Sequence, residues 1–154
     1  EDFDTSSENL LLYGSTGLGK TFLCNCIAKE LLDKGKTVIY ITAGQLFRII
    51  EKQRFDKNEE DTSEDMMEDL LSVDLLIMDD LGTEFGTILS SCEFFHIINS
   101  RILTKKPVIV STNLSPDNLI HQYSDRVVSR IVGTYTTLKF FGEDIRVKKK
   151  FHHI

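Results

Sequence analysis

The stretch Gly14-Ser-Thr-Gly-Leu-Gly-Lys-Thr21 fits the phosphate-binding pattern G-x-x-x-x-G-K-[ST], known as Walker A, at every fixed position. Its glycines allow the backbone to take positive φ and to approach a ligand closely. The N–H groups on such a path point inward and form a nest for phosphate oxygens. Lys20 would reach the terminal phosphates, and the Thr21 hydroxyl would bind Mg²⁺. The pattern predicts a nucleoside triphosphate site made by consecutive residues: Gly14, Ser15, Thr16, Gly17, Leu18, Gly19, Lys20, Thr21 and Phe22.

The residues around this loop provide the setting that the pattern requires. An apolar run of strand length, Asn9–Tyr13, comes directly before it. After it, Leu23, Ile27 and Leu31 recur at helical spacing, and Gly35 follows as a stop signal. Strand, glycine loop and helix in this order favour a phosphate-binding loop over a flexible Gly/Ser turn.

Composition narrows the class of protein. A chain of 154 residues with 41% hydrophobic and 27% charged residues is typical of one soluble globular domain. No apolar run is long enough to span a bilayer, which favours a cytoplasmic protein with no membrane partner. The chain lacks a signal peptide and does not begin with Met, so we expect a fragment of a longer protein. Its three cysteines predict buried thiols in a reducing compartment, because Cys24 and Cys26 would point to different faces of one helix.

The net charge of −6 is unevenly distributed. Residues 56–69 carry eight of the 24 acidic residues and only one of the 18 basic residues. The rest of the chain is therefore close to neutral, and the overall charge does not exclude a basic groove for nucleic acid. For the acidic run itself, a solvated face is the default interpretation.

Strand-like and helix-like segments alternate along the chain. Residues 1–8 read as a linker and Arg146–Ile154 as a basic tail. The predicted strands are Asn9–Tyr13, Thr37–Thr42, Val73–Met78, Lys106–Ser111 and Thr134–Phe140. Two predicted helices begin at Lys20 and at Ala43, and the others cover Glu64–Leu71, Ile88–Leu103, Pro116–Gln122 and Asp125–Val132. The apolar face of the helix at Ile88–Leu103 is predicted to consist of Ile88, Cys92, Phe95, Ile98 and Ile102. This alternation predicts a mostly parallel five-stranded sheet covered on both faces, with its ligand at the carboxyl ends of the strands.

Acidic and amide side chains follow two of these strands. Leu75-Leu-Ile-Met-Asp79-Asp80 has the Walker B form of four apolar residues and an acid, so Asp79 would hold the Mg²⁺ shell. Asp80 is placed to orient and polarise an attacking water. Asn113, after the next strand, would bond the γ-phosphate or that water. The simpler alternatives are a strand that ends in solvent for the acids and a turn for Asn113.

These motifs, together with Asp125-Arg-Val-Val-Ser-Arg130, resemble the AAA+ (ASCE) P-loop ATPases, and more closely the DnaC/DnaI-type helicase loaders and their IstB-like relatives. The resemblance covers about Asn9 to Arg146. It implies a three-layer α/β sandwich without a helical lid domain. It also implies that Asn113 is sensor 1 and that Arg130, supported by Arg126, is an arginine finger that enters a neighbouring subunit's site. Such fingers raise turnover by about 10³–10⁵ in other enzymes; the alternative is surface salt bridges.

The same resemblance implies partners. These would be a replicative DnaB-type helicase, single-stranded DNA, and further copies of the chain joined through the ATP site. The helical insertion, residues 43–71, would contact DNA through Phe47, Arg48, Lys52 and Arg54, although its acidic end would repel a phosphate backbone. The N-terminal helicase-binding region of such loaders is expected to be absent from this chain. Two features depart from the family pattern or lie outside it: Asp80 stands where many relatives have Glu, and His152-His153 is as consistent with a cloning remnant as with a metal site.

The resulting hypothesis is an ATPase switch, slow and dependent on subunit assembly, that opens or loads a helicase during replication initiation. Its cofactors would be ATP and Mg²⁺. An IstB-like transposition ATPase would share the same core. A P-loop kinase for a small molecule is the alternative from another class, although no lid segment is evident; a nucleotide-binding module without catalysis fits Asp80 and Asn113 less well.

Overall fold

The computed structural model describes residues 8–55, 60–83, 88–123 and 125–151. Its centre is a five-stranded sheet in the order β2-β3-β4-β1-β5, in which every neighbouring pair is parallel. The prediction of a parallel α/β sheet is therefore confirmed. The strands are β1 Asn9–Tyr13, β2 Val38–Thr42, β3 Leu75–Leu81, β4 Val108–Thr112 and β5 Tyr135–Lys139.

Helices connect these strands and cover both faces. They are α1 Lys20–Asp33, α2 Ala43–Phe55, α3 Glu60–Ser72, α4 Ile88–Leu103, α5 Pro116–Gln122, α6 Asp125–Thr134 and α7 Ile145–Phe151. One boundary was wrong, and one helix was not predicted. Helix α3 begins at Glu60, before the predicted Glu64, and α7 lies in the segment that was predicted as a basic tail. After β5, the described residues contain no helix other than α7. The His152-His153 pair lies outside the described residues.

Two hydrophobic layers hold the sandwich together. On one face, Leu12, Ile77 and Ile109 pack with Cys24, Ala28 and Leu31 of α1. On the other face, Leu76, Met78 and Val110 belong to a larger cluster with α2, α4 and α6. Alternate residues of β3 thus enter opposite layers, which is why this strand reads as an unbroken apolar run.

The buried face of α4 agrees with the predicted one only in part. The predicted Ile98 is fully buried and Phe95 and Ile102 are half-buried against the core, but the predicted Cys92 is exposed. Phe94 and Ile97, which were not predicted, are fully buried. Because apolar residues lie on most sides of this helix, periodicity alone does not fix which side faces the sheet. The prediction of buried thiols is likewise right for Cys24 and wrong for Cys26 and Cys92.

Arg101, near the end of α4, is also fully buried. Its guanidinium donates to the carbonyl oxygens of Leu70 at 2.8 Å and of Val73 and Pro107 at 3.0 Å each. Leu70 lies in the last turn of α3, where carbonyl groups have no partner within the helix. Arg101 therefore caps α3 from a neighbouring helix and joins it to the starts of β3 and β4. Burial lowers the pKa of Arg101 to about 10, so the side chain remains a cation at neutral pH.

None of the helices within the described ranges combines the length and the apolar character needed to cross a membrane.

Candidate functional site

The Walker A loop joins β1 to α1 at the carboxyl edge of the sheet. Gly17 and Gly19 have φ of 74° and 93°, in the left-handed region that glycine adopts without strain. Gly19 is the N-cap of α1 and provides no side-chain hydrogen bond to the first turn. The free N–H groups and the positive end of the helix dipole therefore face the loop, which is the arrangement that binds phosphate.

Lys20 is held tightly beside this loop. Its ammonium donates to the carbonyl oxygens of Gly14 at 2.6 Å and Ser15 at 2.8 Å, and to Oδ1 of Asn113 at 2.8 Å. Burial lowers the pKa of Lys20, while the carboxylates of Asp80 and Asp79 act in the opposite direction. The structure thus brings the loop lysine together with the predicted sensor at the end of β4.

Asp79 is buried at the end of β3, and four groups donate to it. Tyr40 of β2 donates to Oδ2 at 2.5 Å. Oδ1 accepts from the Thr21 hydroxyl at 3.4 Å, from the Asp80 N–H at 3.1 Å and from the Ser111 hydroxyl. Tyr40 and Ser111 were not predicted, because neither occupies a fixed position of a phosphate- or metal-binding motif, and they lie 39 and 32 residues from Asp79 in sequence.

A β-bulge brings both acids to the same side of the sheet. The pairing of β3 with β4 shifts register between Met78 and Leu81, and Asp80 has a φ of 57°. As a result Leu81 packs in the same layer as Met78. In a regular strand, successive residues point to opposite faces; the extra residue allows Asp80 to line the cavity while Asp79 lies beside Thr21. Burial, followed by the Asp79 carboxylate, raises the pKa of Asp80, and Lys20 opposes that shift.

A cavity of about 620 Å³ opens over the loop. This volume is in the usual range for small-molecule sites. Gly14, Ser15 and Asp79 are not among the lining residues, but Gly14 and Ser15 accept hydrogen bonds from Lys20, and Asp79 accepts from the lining residue Thr21. The lining residues are Thr16, Gly17, Leu18, Gly19, Lys20, Thr21, Phe22, Asn25, Asp80, Asn113, Ile145 and Arg146.

Helix α7 supplies part of this cavity. The Ile145 N–H donates to the Gly17 carbonyl at 3.0 Å. Asp144 caps the helix by accepting from the N–H groups of Arg146 at 2.8 Å and Val147 at 3.4 Å. The Asp144 carboxylate lies so close to Gly17 that a Cβ there would overlap it. Sequence reasoning missed Ile145 and Arg146, although Asp144 is an N-cap residue that signals a helix start.

Arg126 and Arg130 lie apart from this cavity. Both are exposed on α6, whose buried residues are Val127, Val128 and Ile131. Neither arginine lines the cavity of its own chain. The arginine-finger role therefore stays a prediction that concerns a second subunit.

Of the DNA contacts predicted on α2, one side chain is buried and two are exposed. Phe47 is 2% exposed and packs against the rings of Phe94 and Tyr123, with centroids 5.4 and 6.5 Å apart. Its prediction as a stacking platform was wrong, because the core occupies its ring. Arg48 and Lys52 are exposed one helical turn apart, and the side chain of Arg54 lies outside the described residues.

The side chains at the loop fit Mg²⁺. Thr21 and Asp79 offer two oxygen atoms 3.4 Å apart, and oxygen is the ligand that this cation prefers. Among the residues that the structure describes, no group of three or more His, Cys, Asp or Glu side chains is arranged to hold a metal. A magnesium ion here would depend on nucleotide phosphates and water for its remaining ligands, which is its usual mode of binding.

Two curated relatives illustrate the similarity of this sequence to replication proteins. The replicative helicase loader DnaC of Escherichia coli K12 is 29% identical over 131 residues, which cover 85% of this chain and 53% of DnaC. The chromosomal replication initiator DnaA of Campylobacter fetus is 36% identical over 122 residues, which cover 79% of this chain and 27% of DnaA. The chain therefore spans about half of the first relative and about a quarter of the second.

Solved structures give the same two groups. The replication initiator DnaA bound to AMPPCP and single-stranded DNA superposes with a TM-score of 0.78 at 29% identity, covering 96% of this chain and 46% of that one. The structure of the DnaC helicase loader superposes with a TM-score of 0.72 at 25% identity, covering 88% of this chain and 79% of that one. The sequence profile of the bacterial DnaA ATPase domain matches residues 2–137. This AAA+ chain belongs to the bacterial DnaA ATPase-domain family and shares its fold with the DnaC-type helicase loaders.

Proposed function

We propose that this chain is the ATP-binding and ATP-hydrolysing switch of a replicative helicase loader. The observation that carries the proposal is the convergence of Lys20, Thr21, Asp79, Asp80 and Asn113 on one cavity edge. These residues come from separate strands and helices, so the fold, and not a single motif, brings them together. The similarity to the E. coli helicase loader supports a role in DNA replication.

The residues divide the chemistry among them. The Gly14–Thr21 loop and Lys20 bind the phosphates, and Thr21 with Asp79 would hold Mg²⁺. The ion, when bound, neutralises charge that develops on the transferring phosphoryl group. Asp80 orients and polarises the attacking water, and Asn113 contacts the γ-phosphate or that water. A positioned base of this kind contributes about 10²–10⁴-fold in rate.

Exposed apolar side chains on the cavity wall suit a nucleobase. Phe22 is 74% exposed and Ile145 is 46% exposed, although both side chains are large and apolar. Covering these surfaces with a flat base would remove apolar area from water. Arg146 adds a second cation beside the loop, in reach of the phosphate side of the cavity.

The active site is completed by a neighbouring subunit in this proposal. Arg130 is exposed and absent from its own chain's cavity, as an arginine that acts on another copy must be. Arg126, on the same helix, supports it. Subunits would thus associate through the ATP site, and hydrolysis would separate them.

Single-stranded DNA and a DnaB-type helicase are the proposed partners. Arg48 and Lys52 are exposed cations one turn apart on α2, which favours phosphate contacts. A DnaA relative has been solved with single-stranded DNA. The helicase partner follows from the similarity to a replicative helicase loader and concerns the longer protein to which such a domain belongs.

A second candidate function is that of a replication initiator. The match to the DnaA profile and the TM-score of 0.78 for a DnaA structure, against 0.72 for DnaC, favour it. Both functions use the same ATP site. They differ in the partner: an initiator would bind a specific duplex, and a loader would bind the helicase.

The first experiment measures binding of a fluorescent ATP analogue and release of phosphate. We expect Lys20→Ala to lose binding and Asp80→Asn to keep binding but lose turnover. Arg130→Ala should lose turnover only, and mixing it with Lys20→Ala should restore part of it. In such a mixture some interfaces combine an intact loop with an intact arginine. Arg126→Ala serves as the control from the same exposed helix face, with a smaller expected loss.

Absence of nucleotide binding by the wild-type chain would refute the proposal. Wild-type turnover in Asp80→Asn, or no recovery in the mixture, would refute the assigned roles. Pull-down of the full-length protein with a replicative helicase, in ATP and in ADP, then separates a loader from an initiator, which would retain a duplex instead.

A further inference from the structure

The two oxygens of the Asp79 carboxylate have different environments. Oδ2 accepts the Tyr40 hydroxyl at 2.5 Å. Oδ1 lies 3.4 Å from the Thr21 hydroxyl and also accepts from Ser111 and from the Asp80 N–H. Tyr40 therefore binds the oxygen that faces away from Thr21, and the opposite oxygen points toward the loop.

The position of Tyr40 is well defined by the sheet. In the register of β2 and β3, Tyr40 pairs with Ile77 and Thr42 pairs with Asp79. The Tyr40 ring packs against the layer of Leu12, Cys24 and Ile77 on the α1 side. The Tyr40 hydroxyl is the donor in this hydrogen bond and Asp79 Oδ2 is the acceptor.

A carboxylate without such a partner has a broad torsional preference about its last bond. Partial rotation would turn the nearer oxygen away from Thr21 and move the charge that faces it. A hydroxyl anchored in a strand restricts that rotation because its ring is packed and its donor direction is fixed. Partners of this kind around metal ligands commonly alter metal affinity by about 10–100-fold when they are removed.

We propose that Tyr40 is a positioning residue that turns Asp79 so that Oδ1 faces Thr21, and that it thereby sets the Mg²⁺ affinity of the site. The inference rests on the proposed function, since it concerns the metal that accompanies the nucleotide. Tyr40 itself does not touch the metal or the phosphates; it acts through Asp79.

The test titrates Mg²⁺ into the chain with a fluorescent ATP analogue and records the half-saturating concentration. Tyr40→Phe, which removes one oxygen and keeps the ring, should raise that concentration about tenfold or more. Its affinity for the analogue in EDTA should stay within about twofold of wild type, because the loop contacts do not involve Tyr40. Tyr135→Phe is the matched control, since that buried hydroxyl has no hydrogen-bond partner among the described residues and lies on β5.

A double-mutant cycle identifies the residue through which Tyr40 acts. In an Asp79→Asn background, Tyr40→Phe should produce no further change in the Mg²⁺ half-saturation. An equal shift in both backgrounds, or no shift in the single variant, would overturn the proposal. Loss of the folded state in Tyr40→Phe, followed by circular dichroism, would also overturn it by assigning the hydroxyl to stability. If the wild-type chain binds the analogue in EDTA but shows no response to Mg²⁺, the positioning role fails alone; no binding under either condition refutes the proposed function and the role together.

Discussion

Replacing Arg101 by Met should destabilise the domain strongly, although Arg101 is not among the residues that line the nucleotide cavity. The side chain is completely buried and donates to three carbonyl oxygens, at 2.8, 3.0 and 3.0 Å. Methionine fills a similar length but donates no hydrogen bond. The carbonyl groups of Leu70, Val73 and Pro107 would all lose this donor.

The expected magnitude follows from those acceptors. The Pro107 carbonyl keeps a second donor, the Leu76 N–H at 3.3 Å, so the main cost falls on the Leu70 and Val73 carbonyl groups. A buried polar group left without a partner costs about 1–3 kcal/mol, so two give a range of about 2–6 kcal/mol. Removing a buried cation offsets part of this cost, because burial already lowers the pKa of Arg101 to about 10. We therefore expect the lower end, about 2 kcal/mol. For a domain of this size that corresponds to a fall in Tm of about 4–8 °C.

Urea unfolding followed by circular dichroism measures this effect. Arg48→Met removes an exposed arginine from α2 and serves as the control, with an expected change within about 0.5 kcal/mol. Arg101→Lys keeps the charge but lacks the planar guanidinium that reaches several acceptors, so its free energy of unfolding should lie between those of Arg101→Met and Arg48→Met. A free energy of unfolding for Arg101→Met within about 0.5 kcal/mol of wild type would refute the role of Arg101 as a cap.

Three further outcomes are expected. Gly17→Ala should weaken nucleotide binding and lower the Tm more than Gly35→Ala: both glycines have left-handed φ, but only a Cβ at Gly17 would overlap Asp144. Equal effects in both assays would contradict the close approach of α7. Iodoacetamide should label the exposed Cys26 and Cys92 but not Cys24, because burial and then Asp79 raise the pKa of Cys24 to about 12; mass spectrometry of the native protein at pH 8 decides this. Asp80→Asn should keep or raise the Tm, because Asn tolerates left-handed φ and removes a charge that burial and Asp79 disfavour, while turnover falls by about 10²-fold or more.

The sheet was predictable because its strands carry local signals. Leu75–Met78 is apolar at every position, as a strand buried on both faces must be, and the observed β3 confirms it. The Walker A loop was equally readable, since its glycines and Lys20 follow from phosphate chemistry within eight residues. The side chains that follow β3 and β4 meet at one edge because parallel strands end together there.

What the sequence did not reveal depends on contacts between distant segments. Arg146 read as part of a basic tail, yet the helix capped by Asp144 brings it to the loop. Tyr40 read as an ordinary strand residue, since its spacing from Asp79 carries no local pattern. The error over Phe47 has the same cause: an aromatic residue on an amphipathic helix is compatible with a groove or with a core, and only packing against Phe94 decides.

The bulge in β3 ties the candidate site to the number of residues in that strand. Deleting one residue between Met78 and Leu81 would restore regular pairing with β4 and leave one acid where the proposed function uses two. Insertion of another would turn Leu81 out of its layer and separate its carbonyl from the Thr112 hydroxyl, which donates to it at 2.6 Å. The segment between Met78 and Leu81 can therefore accept substitutions, whereas an insertion or deletion there would disrupt the pairing of β3 with β4. The left-handed backbone at Asp80 restricts the substitutions too, since it favours Asp, Asn and Gly over longer or branched side chains.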